Sequence, residues 1–399
     1  MANSFRRIVW CFAIGETIVW ASFYYIFPAL LLAWERDLRW SKAELTGAFT
    51  LSLVVFAVLA PLAGRLIDRG HARTVFAGST LLGALALIAL AKVSALWQFY
   101  AVWLILGVSM AGSLYEACFA VLTRLTGNRS RRAITLVTLV AGLAGTVSFP
   151  GANVLTQWIG WRDAVMIFGL TVIVVALPLI WIGCSIASRQ GEMNAPPASP
   201  HPRNTLRALR NPIFWLLALS FAMVTLDHSM LITHLLPLLD ERGIEGQTAI
   251  LAASTIGPMQ VVGRLLMVAV EKHVSTLIIS VGCCFAMLIA TLALLGSASI
   301  PILLVAFVLF QGAGIGVTSI ARPVITAEFL GRVNFGVVSG LIAVPVIGAT
   351  AIAPSLGSLI WLTGGYDRVI YFALCATALG CIALITAGRL YKQQHAQIR

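Results

Sequence analysis

The chain has 399 residues, 59% of them hydrophobic and 11% charged, with a formal charge of +12 and a mean hydropathy of +0.94. A soluble domain carries roughly 25% charged residues, so this chain cannot cover its own surface against water, and lipid must solvate much of it. The positive charge does not mark a nucleic-acid binder, because the lysines and arginines sit in short segments between apolar runs, the distribution that orients membrane proteins.

Apolar runs of about 20 residues, enough for one bilayer crossing, recur along the chain. They predict spans at 8–34, 43–66, 74–92, 97–123, 133–156 and 163–187, then at 213–239, 248–270, 275–296, 300–329, 334–361 and 367–388. The first run, preceded by Arg6 and Arg7, is longer than the core of a cleavable signal. Residues 188–211 contain Pro196, Pro197, Pro200 and Pro202. Proline removes a backbone donor and stops a helix, so this segment reads as an extended linker. The expected domains are a six-helix bundle over 1–187, the linker over 188–211 and a second bundle over 212–399.

Loops on the side of the N terminus hold most of the basic residues, including Arg65, Arg69, Arg73, Arg124, Arg129, Arg131 and Arg132. The opposite loops hold Arg36, Arg39, Lys42, Lys92, Arg162, Arg242 and Arg368. That bias places both termini and the linker in the cytoplasm of an inner-membrane protein. The seven cysteines lie in or beside apolar stretches without zinc or redox spacing, and read as small packing residues.

The halves also repeat. Gly160-Trp161-Arg162-Asp163 is echoed by Gly365-Tyr366-Asp367-Arg368, Phe149-Pro150 by Ala353-Pro354, and Gly107 and Gly127 by Gly312 and Gly331. A near-constant offset over separate elements indicates duplication, and parallel halves are one of the known transporter designs.

The loop after the second span reads Gly64-Arg65-Leu66-Ile67-Asp68-Arg69-Gly70-His71-Ala72-Arg73. It resembles the G-x-x-x-D-R-x-G-x-R/K loop of the major facilitator superfamily, matching at Gly64, Asp68, Arg69 and Arg73, with His71 where the family usually has glycine. The resemblance covers the whole chain. It implies an all-α membrane protein of twelve transmembrane helices in two pseudo-symmetric six-helix bundles. It also implies that Gly64, Asp68, Arg69 and Arg73 form a cytoplasmic gate, in which Asp68 can meet a helix N-terminus or a basic side chain.

Charges inside the spans carry the functional reading, since a charge in hydrocarbon normally faces a cavity or a partner. They are Glu16, Glu116, Asp227, Arg264 and Arg322, on the first, fourth, seventh, eighth and tenth spans. In the resembled family, spans 1, 4, 7 and 10 line the central cavity, helped by 2, 5, 8 and 11. At 1.5 Å per residue, Glu16, Glu116, Arg264 and Arg322 lie on the order of 12–15 Å from their helix ends, with Asp227 deeper. Arginine stays protonated and offers a planar fork suited to a carboxylate. Candidate substrate contacts are therefore Arg264 and Arg322, with Gln260, Gln311, Tyr24 and Tyr115 supplying polar groups. Candidate proton carriers are Glu116, then Asp227, then Glu16; His234 lies seven residues after Asp227 and could relay protons outward. His228 reads as a packed polar residue.

Gly263-Arg264 in the eighth span resembles the arginine region of monocarboxylate transporters and oxalate/formate antiporters, which implies a carboxylate contact for Arg264. Gln260 departs from the aspartate typical of the former, and no lysine occurs in the eleventh span, unlike the latter. The expected function is proton-coupled transport of a small, monocarboxylate-like organic anion by alternating access, with a small molecule, protons and the bilayer as partners and the protein a monomer. The alternatives are export of an amphipathic or drug-like compound by proton antiport, or a transporter-like receptor that no longer transports. No histidine pair at ligand spacing, nucleophile elbow or phosphate loop occurs, so neither an enzyme nor a cofactor is expected.

Overall fold

The computed structural model describes residues 2–189, 202–244, 246–332 and 334–396. All regular structure among them is helical. The first half contains α1 (Ala2–Phe23), α2 (Ile26–Leu38), α3 (Lys42–Leu66), α4 (Ala72–Leu90), α5 (Leu96–Ser113), α6 (Tyr115–Thr126), α7 (Ser130–Ala141), α8 (Ala144–Thr171) and α9 (Leu177–Arg189). It is followed by α10 (Pro202–Arg210), α11 (Pro212–Glu241), α12 (Gly246–Val270), α13 (Thr276–Gly296), α14 (Leu303–Leu330), α15 (Phe335–Trp361) and α16 (Gly365–Ala396).

Among the described residues, ten helical stretches are long and apolar enough to cross a membrane. Two of them, Ala43–Leu90 with 48 residues and Ser130–Ile186 with 57, would extend about 70 and 85 Å at 1.5 Å per residue, against a hydrocarbon core of about 30 Å. Each turns back at a glycine with positive φ, Gly70 at 101° and Gly160 at 84°, a conformation that side chains with a Cβ resist. Divided at those glycines, the ten stretches give twelve segments, each of about the length one crossing needs. Large apolar side chains face outward, as a lipid solvent requires. Trp158 is 80% exposed, and it and Trp97 sit at span ends, where tryptophan concentrates at the membrane interface.

Several local expectations change. The first span is two helices with a turn at Tyr24-Tyr25, and the fourth breaks at Leu114, whose backbone is extended (φ −92°, ψ −170°). The loop after the second span is a wide helical turn over Ile67–His71. The segment 188–211, expected to be extended, is helical at both ends: α9 runs to Arg189 and α10 begins at Pro202. A proline at the first helical position forfeits no intrahelical bond. Residues 190–201 lie outside the described residues.

The chain divides into two compact units. Unit 1 is Met1–Thr205 with Arg332–Val344; unit 2 is Leu206–Gly331 with Pro345–Arg399. The start of α15 thus groups with unit 1 and its remainder with unit 2. In unit 1, α3 and α4 pack on α5, and α1 packs on α7, α8 and α9; in unit 2, α11 packs on α16 and α12 and α13 pack on α14.

Each unit carries the same latch. In unit 1, Arg162 pairs with Asp37 at 2.6 Å, and Trp161 Nε1 donates to the same carboxylate at 2.7 Å. In unit 2, Arg242 pairs with Asp367 at 2.6 Å, while Trp361 Nε1 donates to Glu241 at 2.9 Å. The partners are 125 residues apart in both, with acid and base exchanged. This tie between the end of a half's first crossing and its last turn supports descent from one duplicated unit.

Candidate substrate and coupling site

Arg264 is placed by backbone contact between α12 and α14. A Cβ on Gly263 would stand 2.3 Å from Ala313 O, and one on Gly316 would stand 2.3 Å from Gln260 O. Small residues let membrane helices approach this closely. Arg264 is then 5% exposed, and its Nε donates to Gly316 O at 3.3 Å. Its Nη1 has no hydrogen-bond partner among the described residues. Gln260, one turn before it, and Arg322, on α14, are half-buried.

Asp227 lies inside unit 2 and is 0% exposed. Gln311 Nε2 donates to it at 2.9 Å, and Thr291 Oγ1 lies 3.0 Å from its Oδ1 and 3.0 Å from Met287 O. Thr377 lies beside Asp227, but its hydroxyl has no partner of hydrogen-bond geometry among the described residues. A hydroxyl has one hydrogen, so Asp227 Oδ1 and the Met287 carbonyl are alternative acceptors for the Thr291 hydroxyl. Gln311, expected in the cavity wall, is thus occupied with Asp227. His234 points elsewhere: its Nε2 lies 2.9 Å from Pro354 O, and its ring approaches Tyr366. The two ends of the expected relay therefore address different helices.

The acids of unit 1 sit where helices break. Glu116 occupies the first turn of α6, just beyond the break at Leu114. It is buried and accepts from Ser339 Oγ at 3.0 Å. Glu16 is 0% exposed. Cys118 and Trp20 lie beside it, but neither carboxyl oxygen has a partner of hydrogen-bond geometry among the described residues. Above it the half-buried Trp20 packs on Tyr115 with ring centroids 4.6 Å apart and on Tyr24 at 5.2 Å. Tyr24 also meets Tyr25 and Phe49. An unpaired carboxyl beneath an aromatic cluster joins two features that the sequence left apart.

In the motif after the second span, Asp68 accepts backbone hydrogen bonds from Gly336 N at 3.1 Å and Val337 N at 3.0 Å. It thereby caps α15, whose first amides have no partner within the helix. Gly64 makes room for this: a Cβ there would stand 2.0 Å from Gly336 O. Arg124 donates to Ile67 O and Asp68 O and braces the turn. Arg73 lies over the Trp181 ring at 3.4 Å, and Arg69 is exposed. Sequence reasoning missed Ser339, Thr291, Thr377 and Arg124, because a hydroxyl in an apolar helix or an arginine at a helix end gives no sign of its partner.

The model of the Major Facilitator Superfamily matches residues 12–295. The chain belongs to this family. It is 28% identical over 223 residues to an MFS-type efflux pump of Mycolicibacterium smegmatis, covering 53% of this chain and 51% of that protein. The chain thus spans about half the length of the curated relative it matches. A bacterial homologue of the iron transporter ferroportin, solved in an outward-facing state, aligns with a TM-score of 0.75 at 16% identity, over 96% of this chain and 99% of that one. A variant of the Escherichia coli fucose:proton symporter FucP aligns with a TM-score of 0.73 at 14% identity, over 96% and 98%. At such identities the likeness concerns the fold alone. Family and fold are those of multi-pass membrane transporters, which are not enzymes.

Proposed function

We propose that the chain is a secondary transporter that carries a small, monocarboxylate-like organic anion across the inner membrane by alternating access, coupled to protons, as a monomer with both termini cytoplasmic. The observation that supports an anion best is Arg264. A permanent cation buried in a membrane helix, with one guanidinium nitrogen unsatisfied, is costly unless an acceptor visits it. A carboxylate is the acceptor its fork fits. Gln260 and Arg322 extend the site along α12 and α14 within unit 2; Tyr24 and Tyr115 of unit 1 are further candidate contacts. Glu116, which accepts from Ser339 Oγ beside the break at Leu114, carries the proton, with Asp227 and then Glu16 as the alternatives. Asp227, which accepts from Gln311 inside unit 2, is the second candidate for the proton. Asp68 and Gly64, with Arg69 and Arg73, form the cytoplasmic gate.

Export of an amphipathic compound by proton antiport is the second reading. It is favoured by the aromatic cluster around Trp20 and by the efflux pump among the relatives. One experiment separates the two: counterflow and accumulation in proteoliposomes, with monocarboxylates, dicarboxylates and amphipathic cations, with and without a pH gradient. Monocarboxylate exchange is expected. Arg264→Lys keeps the charge but loses the fork, and at about 1.5–3 kcal/mol per charged hydrogen bond should weaken affinity by about 10- to 100-fold. Glu116→Gln should retain exchange and lose accumulation. Unchanged affinity in a folded Arg264→Ala protein, or transport confined to amphipathic cations, would refute the anion reading.

A further inference from the structure

A groove of about 490 Å³ lies on unit 1 between α1 and α7. Val9, Trp10 and Ala13 form one wall, and Leu136, Leu139 and Val140 the other. Trp10 is 51% exposed. The rest of the lining is Phe5 with three arginines: Arg6 in α1, Arg132 in the first turn of α7, and Arg129 in the turn before it. The cations gather where both helices begin. The Arg129 guanidinium lies 5.6 Å from the Phe5 ring centroid. Among the described residues, no acid lines the groove and none of the three arginines forms an ion pair.

The groove deepens along α1 from Arg6 to Ala13, about 10 Å at 1.5 Å per residue, which is most of one leaflet's share of a hydrocarbon core about 30 Å thick. It is therefore cationic at the headgroup level and apolar below. A free anion would satisfy the arginines and leave the floor bare. A zwitterionic lipid would cover the floor but set its own cation among three guanidinium groups. We infer that this groove binds one anionic phospholipid, with its phosphate on Arg6, Arg129 and Arg132 and one acyl chain along Trp10 and Leu139. Guanidinium groups fit phosphate oxygens in pairs, and basic pockets between membrane helices take acidic headgroups in this way.

The test is native mass spectrometry of the full chain in mild detergent, titrated separately with phosphatidylglycerol, phosphatidylcholine and inorganic phosphate. Wild type should retain one phosphatidylglycerol in preference to phosphatidylcholine, and phosphate should not displace it. At about fivefold per arginine, the Arg129→Ala/Arg132→Ala protein should retain it about 30-fold more weakly. These arginines are exposed, so the variant should fold, with unchanged thermal unfolding as the check. Leu139→Trp fills the groove, leaves the charges, and should also release the lipid. Arg389→Ala, an exposed arginine on α16, should change nothing. Equal retention of the two lipids by wild type, equal retention by wild type and the double variant, or displacement by phosphate would each overturn the inference.

Discussion

Replacing Asp68 by asparagine should free the start of α15. The carboxylate receives two backbone hydrogen bonds, at 3.1 and 3.0 Å, from Gly336 and Val337. Asparagine offers one carbonyl oxygen and turns an NH₂ donor toward the second amide, so one charge-assisted bond is lost at about 1.5–3 kcal/mol. The negative charge at the helix N-terminus is lost as well, at about 0.3–1 kcal/mol. Together these give about 2–4 kcal/mol, or a shift of 30-fold or more toward states in which the cap is open. Hydrogen exchange reads this directly, because among the described residues Asp68 accepts from both of these amides at the helix start. In Asp68→Asn, a peptide covering residues 335–341 should exchange at least 30-fold faster at these positions, while peptides from α5 stay unchanged. Gly64→Ala should do the same by another route, since its Cβ would stand 2.0 Å from Gly336 O and must push the backbones apart. Identical exchange in wild type and Asp68→Asn would refute the argument.

The two latches should differ in strength. Arg162 and Asp37 have side chains 44% and 48% exposed, so a double-mutant cycle should give a coupling of about 0.2–1 kcal/mol, and exchanging the two residues should restore it. Arg242 is only 8% exposed and also donates to Leu294 O and Ser297 Oγ; Arg242→Ala should lower the unfolding temperature more than Arg162→Ala. Asp227→Asn keeps a carbonyl oxygen for Gln311 or Thr291, so stability should change by less than about 1 kcal/mol and pH-driven accumulation should persist. Asp227→Leu strands Gln311 and should cost about 1–3 kcal/mol; loss of accumulation in a stable Asp227→Asn protein would instead make Asp227 the proton carrier.

The sequence alone determined the class. The apolar runs, the charge bias of the loops and the half-chain repeat follow from local composition, because a bilayer acts on each segment independently. The buried ionic residues were also legible, since few charges survive in hydrocarbon without a purpose. Their partners were not. Glu16 and Cys118 meet through packing of α1 on α6, and Gln311 turned to Asp227 rather than to a cavity, because a helix rotation of some tens of degrees decides which neighbour a side chain reaches. The breaks at Tyr24-Tyr25 and Leu114 interrupt runs whose hydropathy is continuous; Pro28, which cannot donate to the Tyr24 carbonyl, and Gly112 flank them, but other prolines, such as Pro61, sit inside unbroken helices. Asp68 shows the division most plainly: its motif left a helix N-terminus or a basic side chain as its partner, and the choice of Gly336 and Val337, 268 and 269 residues away, came only from the tertiary fold. A backbone amide carries no side-chain signature, and what brings it within 3 Å is the close approach that Gly64 and Gly336 permit.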